Sequence, residues 1–192
     1  ICSDDRKNPY FCLGNMINSN EGFQFKHFYV RHDRSAMKVG TDGVLLGALA
    51  GQEFESRNVA MFNVLDLGCG SGLIALMLAQ RFPDACITAI DIDPAAVEQA
   101  TGNFAASPWA ERLTAVCTDA REFNFQFNLI VCNPPFYSQS PEASTAERNM
   151  ARRADTLSYE ELAEAASRLL ADGGHFEGIM PYDQADHFIH LC

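Results

Sequence analysis

Asn133-Pro134-Pro135-Phe136 closes the apolar run Phe127–Cys132. The side-chain oxygen of Asn133 and the backbone carbonyl of Pro134 are neighbouring acceptors, and consecutive prolines stiffen the turn that aims them. Phe136 adds a flat apolar face on which a heterocycle can lie, with Tyr137 next to it. Two oxygens and a ring suit a planar amino group. Such a nitrogen is a poor nucleophile, because its lone pair is delocalised into the ring. Acceptors on its hydrogens favour a more pyramidal nitrogen and point it at an electrophile. No strong base is needed, since the proton becomes acidic once the nitrogen is alkylated. Catalysis of this kind is mostly positioning.

Upstream stands Asp66-Leu67-Gly68-Cys69-Gly70-Ser71-Gly72. Gly68, Gly70 and Gly72 fall between a strand pattern and a helix pattern, where absent side chains let the backbone approach a nucleotide-like cofactor. The spacing is G-x-G-x-G, and Asp66 lies two residues before the first glycine. Asp91 ends the next strand pattern, where a carboxylate can accept two hydrogen bonds from a ribose diol. Asp119 ends the third, placed to accept from an adenine amino group.

The elements that must hold these residues alternate. Val64–Leu67 reads as a buried strand and Leu73–Arg81 as a helix apolar nearly all round. Cys86–Asp91 is the next strand, followed by a helix with Asp93 at its cap and Pro94 at its first position. Leu113–Cys117 and Phe127–Cys132 are further strands. Leu157–Leu170 is an amphipathic helix ended by Asp172-Gly173-Gly174, His175–Met180 a strand, and a helix starts after Pro181. This order predicts an α/β fold: a central, mostly parallel sheet with helices on both faces and ligands at the strands' carboxyl ends. Before it, residues 23–31 alternate as an extended segment or hairpin. Gly43–Ala50 reads as a short helix with Thr41 or Asp42 as N-cap. Residues 1–58 are expected to form an N-terminal extension whose helix lies over the cofactor pocket, and 59–192 the catalytic domain. A complete fold of this kind should add two more strands after the last helix, so the sequence reads as truncated there.

With 192 residues, 47% of them hydrophobic, the chain can bury a substantial core. No apolar run reaches the ~18 residues of a membrane span, and the polar start lacks the order of a signal peptide. The seven cysteines form no C-x-x-C pair, which points to a soluble protein of the reducing cytoplasm without disulfides or zinc. His187 and His190 lack a third ligand, so no metal is expected. A net charge of −11 opposes indiscriminate nucleic-acid binding. Lys26, His27, Arg31, His32, Arg34 and Lys38 nevertheless cluster early in the chain, and Arg148, Arg152 and Arg153 follow the Asn-Pro-Pro turn.

The glycine loop, Asp91, Asp119 and the Asn-Pro-Pro turn together resemble the class I S-adenosylmethionine-dependent methyltransferases, which have a Rossmann-like fold. The resemblance implies that Gly68–Gly72 contact the methionine part of the cofactor, Asp91 the ribose hydroxyls and Asp119 the adenine. Asn-Pro-Pro-aromatic turns are similar across adenine-N6 DNA and RNA methyltransferases, guanine-N2 ribosomal RNA methyltransferases and enzymes that methylate a glutamine of peptide release factors. Longer stretches narrow the choice. Phe25–Val30, His32-Asp33-Arg34, the run from Ala36 to Ala48, Ser71–Arg81 and Ser107–Arg112 resemble the bacterial tRNA-valine adenine-N6 methyltransferase family, which modifies the adenine beside the anticodon at tRNA position 37. Phe136-Tyr137 departs from the Tyr-Tyr or Tyr-Phe expected there and lacks one phenol hydroxyl. By this resemblance Lys38, Gly40, Thr41 and Asp42 form a lid or wall of the cofactor pocket, and Arg148, Arg152 and Arg153 grip anticodon-loop phosphates. Such a base is already single-stranded and cheap to extrude. The expected partner is a tRNA anticodon loop, bound by a monomer away from any membrane. A guanine-N2 or glutamine acceptor is the alternative. A non-catalytic RNA-binding module would have no need for Asn133, Pro134, Asp91 and Asp119 together.

Overall fold

The computed structural model describes residues 21–35, 37–54, 62–134 and 157–192. Its first elements are an antiparallel hairpin, β1 (Gly22–Gln24) and β2 (Tyr29–Arg31). This is the extended segment expected from alternation. Phe28 and Val30 turn inward, and the Phe28 ring meets Trp109 edge-on at 5.5 Å. Helix α1 (Thr41–Leu49) follows. Then come β3 (Phe62–Leu67), α2 (Leu73–Arg81), β4 (Ala85–Asp91), α3 (Pro94–Ala105), β5 (Leu113–Cys117) and β6 (Phe127–Cys132). The last described elements are α4 (Tyr159–Leu169), β7 (Leu170–Gly178) and α5 (Tyr182–Leu191).

The sheet runs in the order β5-β4-β3-β6-β7, and every described pairing in it is parallel. Central strands buried on both faces need continuous apolar runs. β3 supplies one, with Val64, Leu65 and Leu67 all buried. Helices α1, α2 and α3 cover one face and α4 and α5 the other, giving two apolar layers. The winding reverses between β3 and β6, which opens a crevice at their carboxyl ends. No described helix is long and apolar enough to cross a membrane.

α1 docks closely on α2 because its contact face carries glycines four residues apart. A Cβ on Gly43 would lie 3.2 Å from Leu73 Cδ2, and one on Gly47 would lie 2.7 Å from Met77 Sδ. Arg81 closes the far end, donating from Nη1 to the carbonyls of Gly47 (3.1 Å) and Ala50 (2.6 Å). Those are carbonyls that a helix terminus otherwise leaves without an intrahelical partner.

Three local expectations are corrected. α1 is capped by Gly40 in extended conformation with no side-chain cap hydrogen bond, so Thr41 and Asp42 are its first helical residues rather than its cap. Asp42 in that first turn still complements the positive end of the helix dipole. Asp172-Gly173-Gly174 does not end a helix. α4 stops at Leu169, and β7 begins at once and runs through those residues. Gly173 with φ 72° and a register shift opposite Phe127–Leu129 absorb the irregularity. α4 starts at Tyr159, not Leu157, because Ser158 and Glu161 form a reciprocal capping box.

Candidate active site

Strand register brings the expected residues to one edge. Leu67 on β3 pairs with Cys132 on β6 and Ile90 on β4, and Asp91 pairs with Cys117 on β5. Neighbouring strands lie about 4.8 Å apart. Gly68, Asp91, Asn133 and the turn carrying Asp119 therefore leave the sheet together at the carboxyl edge.

The glycine loop is bent by left-handed residues, with φ of 73° at Gly68, 53° at Gly70 and 77° at Gly72. The first two N–H groups of the loop, Gly68 and Cys69, donate to the Ile90 carbonyl at 2.9 and 3.0 Å. Gly70 N–H donates to Asp91 Oδ2 at 2.9 Å, and Asp93 N–H to Asp91 Oδ1 at 3.0 Å. Each Asp91 oxygen keeps a further lone pair for a ligand hydroxyl. The glycines differ in what they make room for. A Cβ on Gly72 would fall 2.5 Å from the Phe104 ring, and one on Gly70 would fall 3.2 Å from Ser35 Oγ. One on Gly68 meets nothing within 4 Å, so there the backbone is open to a ligand.

Asp66 lies beneath this loop. It is fully buried, and its Oδ2 accepts from Ala75 N–H in the first turn of α2 at 3.0 Å. Burial pushes its carboxyl up to about 7, the Asp91 charge adds to the rise, and the Ala75 hydrogen bond works against it. Its Oδ1 has no hydrogen-bond partner among the described residues. Asp66 thus staples β3 to α2 and fixes the loop from below. Burial also holds the Cys69 and Cys132 thiols well above their ordinary range, so both are packing groups.

Asn133 follows directly on β6, whose last carbonyl, that of Cys132, accepts from Ile179 N–H at 3.2 Å. A Cβ on Gly43 would stand 3.9 Å from Asn133 Nδ2, so α1 backs this amide. Asn133 Oδ1 is buried and without a partner among the described residues. A buried acceptor left unmade costs about 1–3 kcal/mol, which a ligand donor at that spot would recover. Pro134 stands beside it, half-buried. Pro135, Phe136, Tyr137, Arg148, Arg152 and Arg153 lie outside the described residues.

Residues 44–179 match the family model of the methyltransferase small domain. The tRNA1(Val) (adenine(37)-N6)-methyltransferase of Flavobacterium psychrophilum is 46% identical over 174 residues, 88% of this chain and 72% of that protein. Its counterpart in Phocaeicola vulgatus is 48% identical over 172 residues, 88% of this chain and 70% of that protein. The chain belongs to the tRNA1(Val) (adenine(37)-N6)-methyltransferase family. A solved structure from Agrobacterium tumefaciens, described as a predicted O-methyltransferase, is similar with a TM-score of 0.58 at 18% identity, over 79% of this chain and 66% of that one. That likeness concerns the fold alone. S-adenosylmethionine is the cofactor, and the residues present fit it, with open backbone at Gly68 beside spare lone pairs on Asp91.

In this member of the tRNA1(Val) (adenine(37)-N6)-methyltransferase family, residues Arg31–Ser35 run beside the glycine loop, where a Cβ on Gly70 would stand 3.2 Å from Ser35 Oγ. Asn103 on α3 donates from Nδ2 to the carbonyls of Arg31 and Ser71, both at 2.8 Å, and accepts Arg31 N–H at 2.9 Å. Gln99 accepts Arg34 N–H at 3.1 Å and donates to Asp33 Oδ1 at 2.8 Å. Buried His32 accepts Val39 N–H on Nδ1 at 3.1 Å. Asn103 and Gln99 did not stand out in the sequence. The only signal for them was two polar residues four apart, on the buried face of a helix that packs against the hairpin's exit strand.

Lys38, Thr41 and Asp42 are exposed around the start of α1. Asp119 sits at the carboxyl edge as expected, but its carboxylate is engaged by Arg121, two residues on. This guanidinium holds the Asp119 carboxyl below its ordinary range. His187 faces Glu160 at 3.2 Å, and His190 meets the Asp186 carbonyl at 2.6 Å, so the two imidazoles serve separate contacts.

Proposed function

We propose that this chain transfers a methyl group from S-adenosylmethionine to N6 of adenine 37 in the anticodon loop of tRNA-Val, acting as a monomer in the cytoplasm. The observation that carries the reading is the buried Asn133 Oδ1, without a hydrogen-bond partner among the described residues and one register step from the glycine loop. The similar proteins' names supply the acceptor.

When bound, S-adenosylmethionine supplies an electrophilic methyl on a positively charged sulfur. The chain's own residues do the rest. Gly68, Gly70 and Gly72 shape a backbone cradle under the methionine part, Asp66 holds that cradle from below, and Asp91 accepts from the ribose hydroxyls. Asp119 accepts from the adenine, and Thr41 and Asp42 line the pocket from α1. Across the crevice Asn133 Oδ1 and the Pro134 carbonyl accept the two hydrogens of the target amino group, turning its lone pair toward the methyl. Phe136 stacks the extruded base, with Pro135 and Tyr137 completing its slot. Arg148, Arg152 and Arg153 hold backbone phosphates, with Lys38 at the pocket wall beside the substrate.

Labelled S-adenosylmethionine incubated with the chain and unmodified bulk tRNA, followed by nucleoside mass spectrometry, tests this. New N6-methyladenosine, lost on ribonuclease pretreatment, is expected. Methyl incorporation that resists ribonuclease points instead to a protein acceptor, and 2-methylguanosine to a guanine.

A further inference from the structure

The peptide joining Ser71 to Gly72 leads into a left-handed glycine, φ 77° at Gly72, and glycine places little restraint on how such a plane is turned. Both of its polar groups are nevertheless taken. The Gly72 N–H donates to the Cys69 carbonyl at 2.8 Å. The Ser71 carbonyl, on the opposite side of the plane, accepts from Asn103 Nδ2 at 2.8 Å. Asn103 is buried on α3, beside the spot where the loop rests on that helix. A Cβ on Gly72 would fall 2.5 Å from the Phe104 ring and 3.2 Å from Ala100 Cβ, both on α3.

The same carboxamide takes both main-chain groups of Arg31 at the end of β2. Its Nδ2 donates to the Arg31 carbonyl at 2.8 Å, and its Oδ1 accepts the Arg31 N–H at 2.9 Å. Both amide hydrogens are thereby used. Two carbonyls and one N–H also fix which way the amide faces, since a flipped group would set its oxygen against two others. One side chain therefore ties the glycine loop to the hairpin. Gln99, one turn earlier on α3, reaches the same segment but not the loop. Its bonds are to the Arg34 N–H at 3.1 Å and to Asp33 Oδ1 at 2.8 Å.

We propose that Asn103 is a positioning residue for the cofactor, holding the Ser71–Gly72 peptide in the one orientation that lets the glycine loop receive the cofactor's amino-acid end. This rests on the loop facing the methionine part, as in the reading above. Asn103 then sets the grip on that end without touching it, while adenosine is held by other residues.

The test is calorimetric binding of S-adenosylhomocysteine and 5′-methylthioadenosine, which carries a methyl on sulfur in place of the amino-acid chain. The wild-type chain should prefer S-adenosylhomocysteine by about tenfold or more, the scale of one hydrogen bond to a charged group. Asn103→Asp keeps the size and the acceptor for Arg31 N–H but loses both donors. It should cut the preference about fivefold or more, with methylthioadenosine affinity within about twofold of wild type. Asn103→Ala, which buries no charge, should do the same and serves if the aspartate variant does not fold. Gln99→Ala removes contacts to the same segment but none to the loop, so its preference should stay within about twofold of wild type. An undiminished preference in the Asn103 variants, equal weakening of both ligands, or an equal fall in Gln99→Ala overturns the proposal. A wild-type chain that binds both ligands equally overturns instead the premise that the loop faces the methionine part, a distinguishable failure.

Discussion

Asn133 and Asp91 stand at the ends of β6 and β4, the two strands that flank β3. The proposed reading assigns them different ligands, and substitutions should separate them. Asn133→Ala removes the acceptor that the proposed mechanism aims at the target nitrogen. Turnover should fall about a hundredfold or more, the scale of losing one preorganised contact at a reacting centre. The dissociation constant for S-adenosylhomocysteine should stay within about twofold by calorimetry, and a parallel loss of affinity would move Asn133 to the cofactor side. Asp91→Ala should do the reverse, weakening cofactor binding by about 1–3 kcal/mol, as for lost charge-assisted hydrogen bonds. An unchanged constant would remove Asp91 from the ribose. Both residues were legible in the sequence because each ends a strand pattern, and an α/β fold gathers strand ends. The fork of Arg121 on Asp119 was not legible, although Asp119-Ala120-Arg121 is contiguous. Its geometry depends on Glu161 arriving from a helix forty residues away.

At the scale of elements, the three left-handed glycines of the cofactor loop should separate by what surrounds them. Gly72→Ala adds a methyl against Phe104 on top of an unfavourable backbone, and should cost about 2–4 kcal/mol of stability in denaturant melts. Gly68→Ala shares the backbone cost, about 1–2 kcal/mol, but meets open space, so its larger effect should be on cofactor affinity. Equal stability losses would mean that the loop relaxes away from α3. The strand–helix alternation, with α2 at the predicted residues, could be read from apolar periodicity alone. The start of β7 could not, because a glycine pair after a helix usually ends it, and only pairing with β6 shows the strand running through. The capping box at Ser158 and Glu161 was written in the sequence as Ser-x-x-Glu, ahead of the helix it starts.

For the molecule as a whole, Asp66 links stability to pH. Its folded pKa, about 7, is above the ordinary 3.8. The folded state therefore favours the neutral acid, and that advantage is complete below about pH 3.8 and lost as pH rises toward 7. Asp66→Asn keeps an oxygen for Ala75 N–H and carries no charge. Its stability relative to wild type, from denaturant melts, should rise between pH 4 and pH 8 by on the order of a few kcal/mol. A constant difference across that range would mean that Asp66 titrates like an exposed acid. The overall charge of −11 makes a second demand. RNA must be held by local cations, so affinity for tRNA should fall with salt on a log–log slope of about −2 if three arginines meet phosphates. Cofactor binding should remain nearly flat, and a flat RNA curve would argue against phosphate contacts by Arg148, Arg152 and Arg153.

The unbroken register between β3 and β6 has an evolutionary consequence. Asn133 takes its place from the strand before it, and the irregularity in β6 pairing falls on the β7 side. In the proposed reading the methyl-transfer geometry is set by the sheet, and the choice of acceptor by the stretch that follows Pro134. A lineage could exchange that stretch and acquire a new nitrogen acceptor without rebuilding the methyl-transfer step, so one scaffold can be recruited repeatedly for different macromolecules.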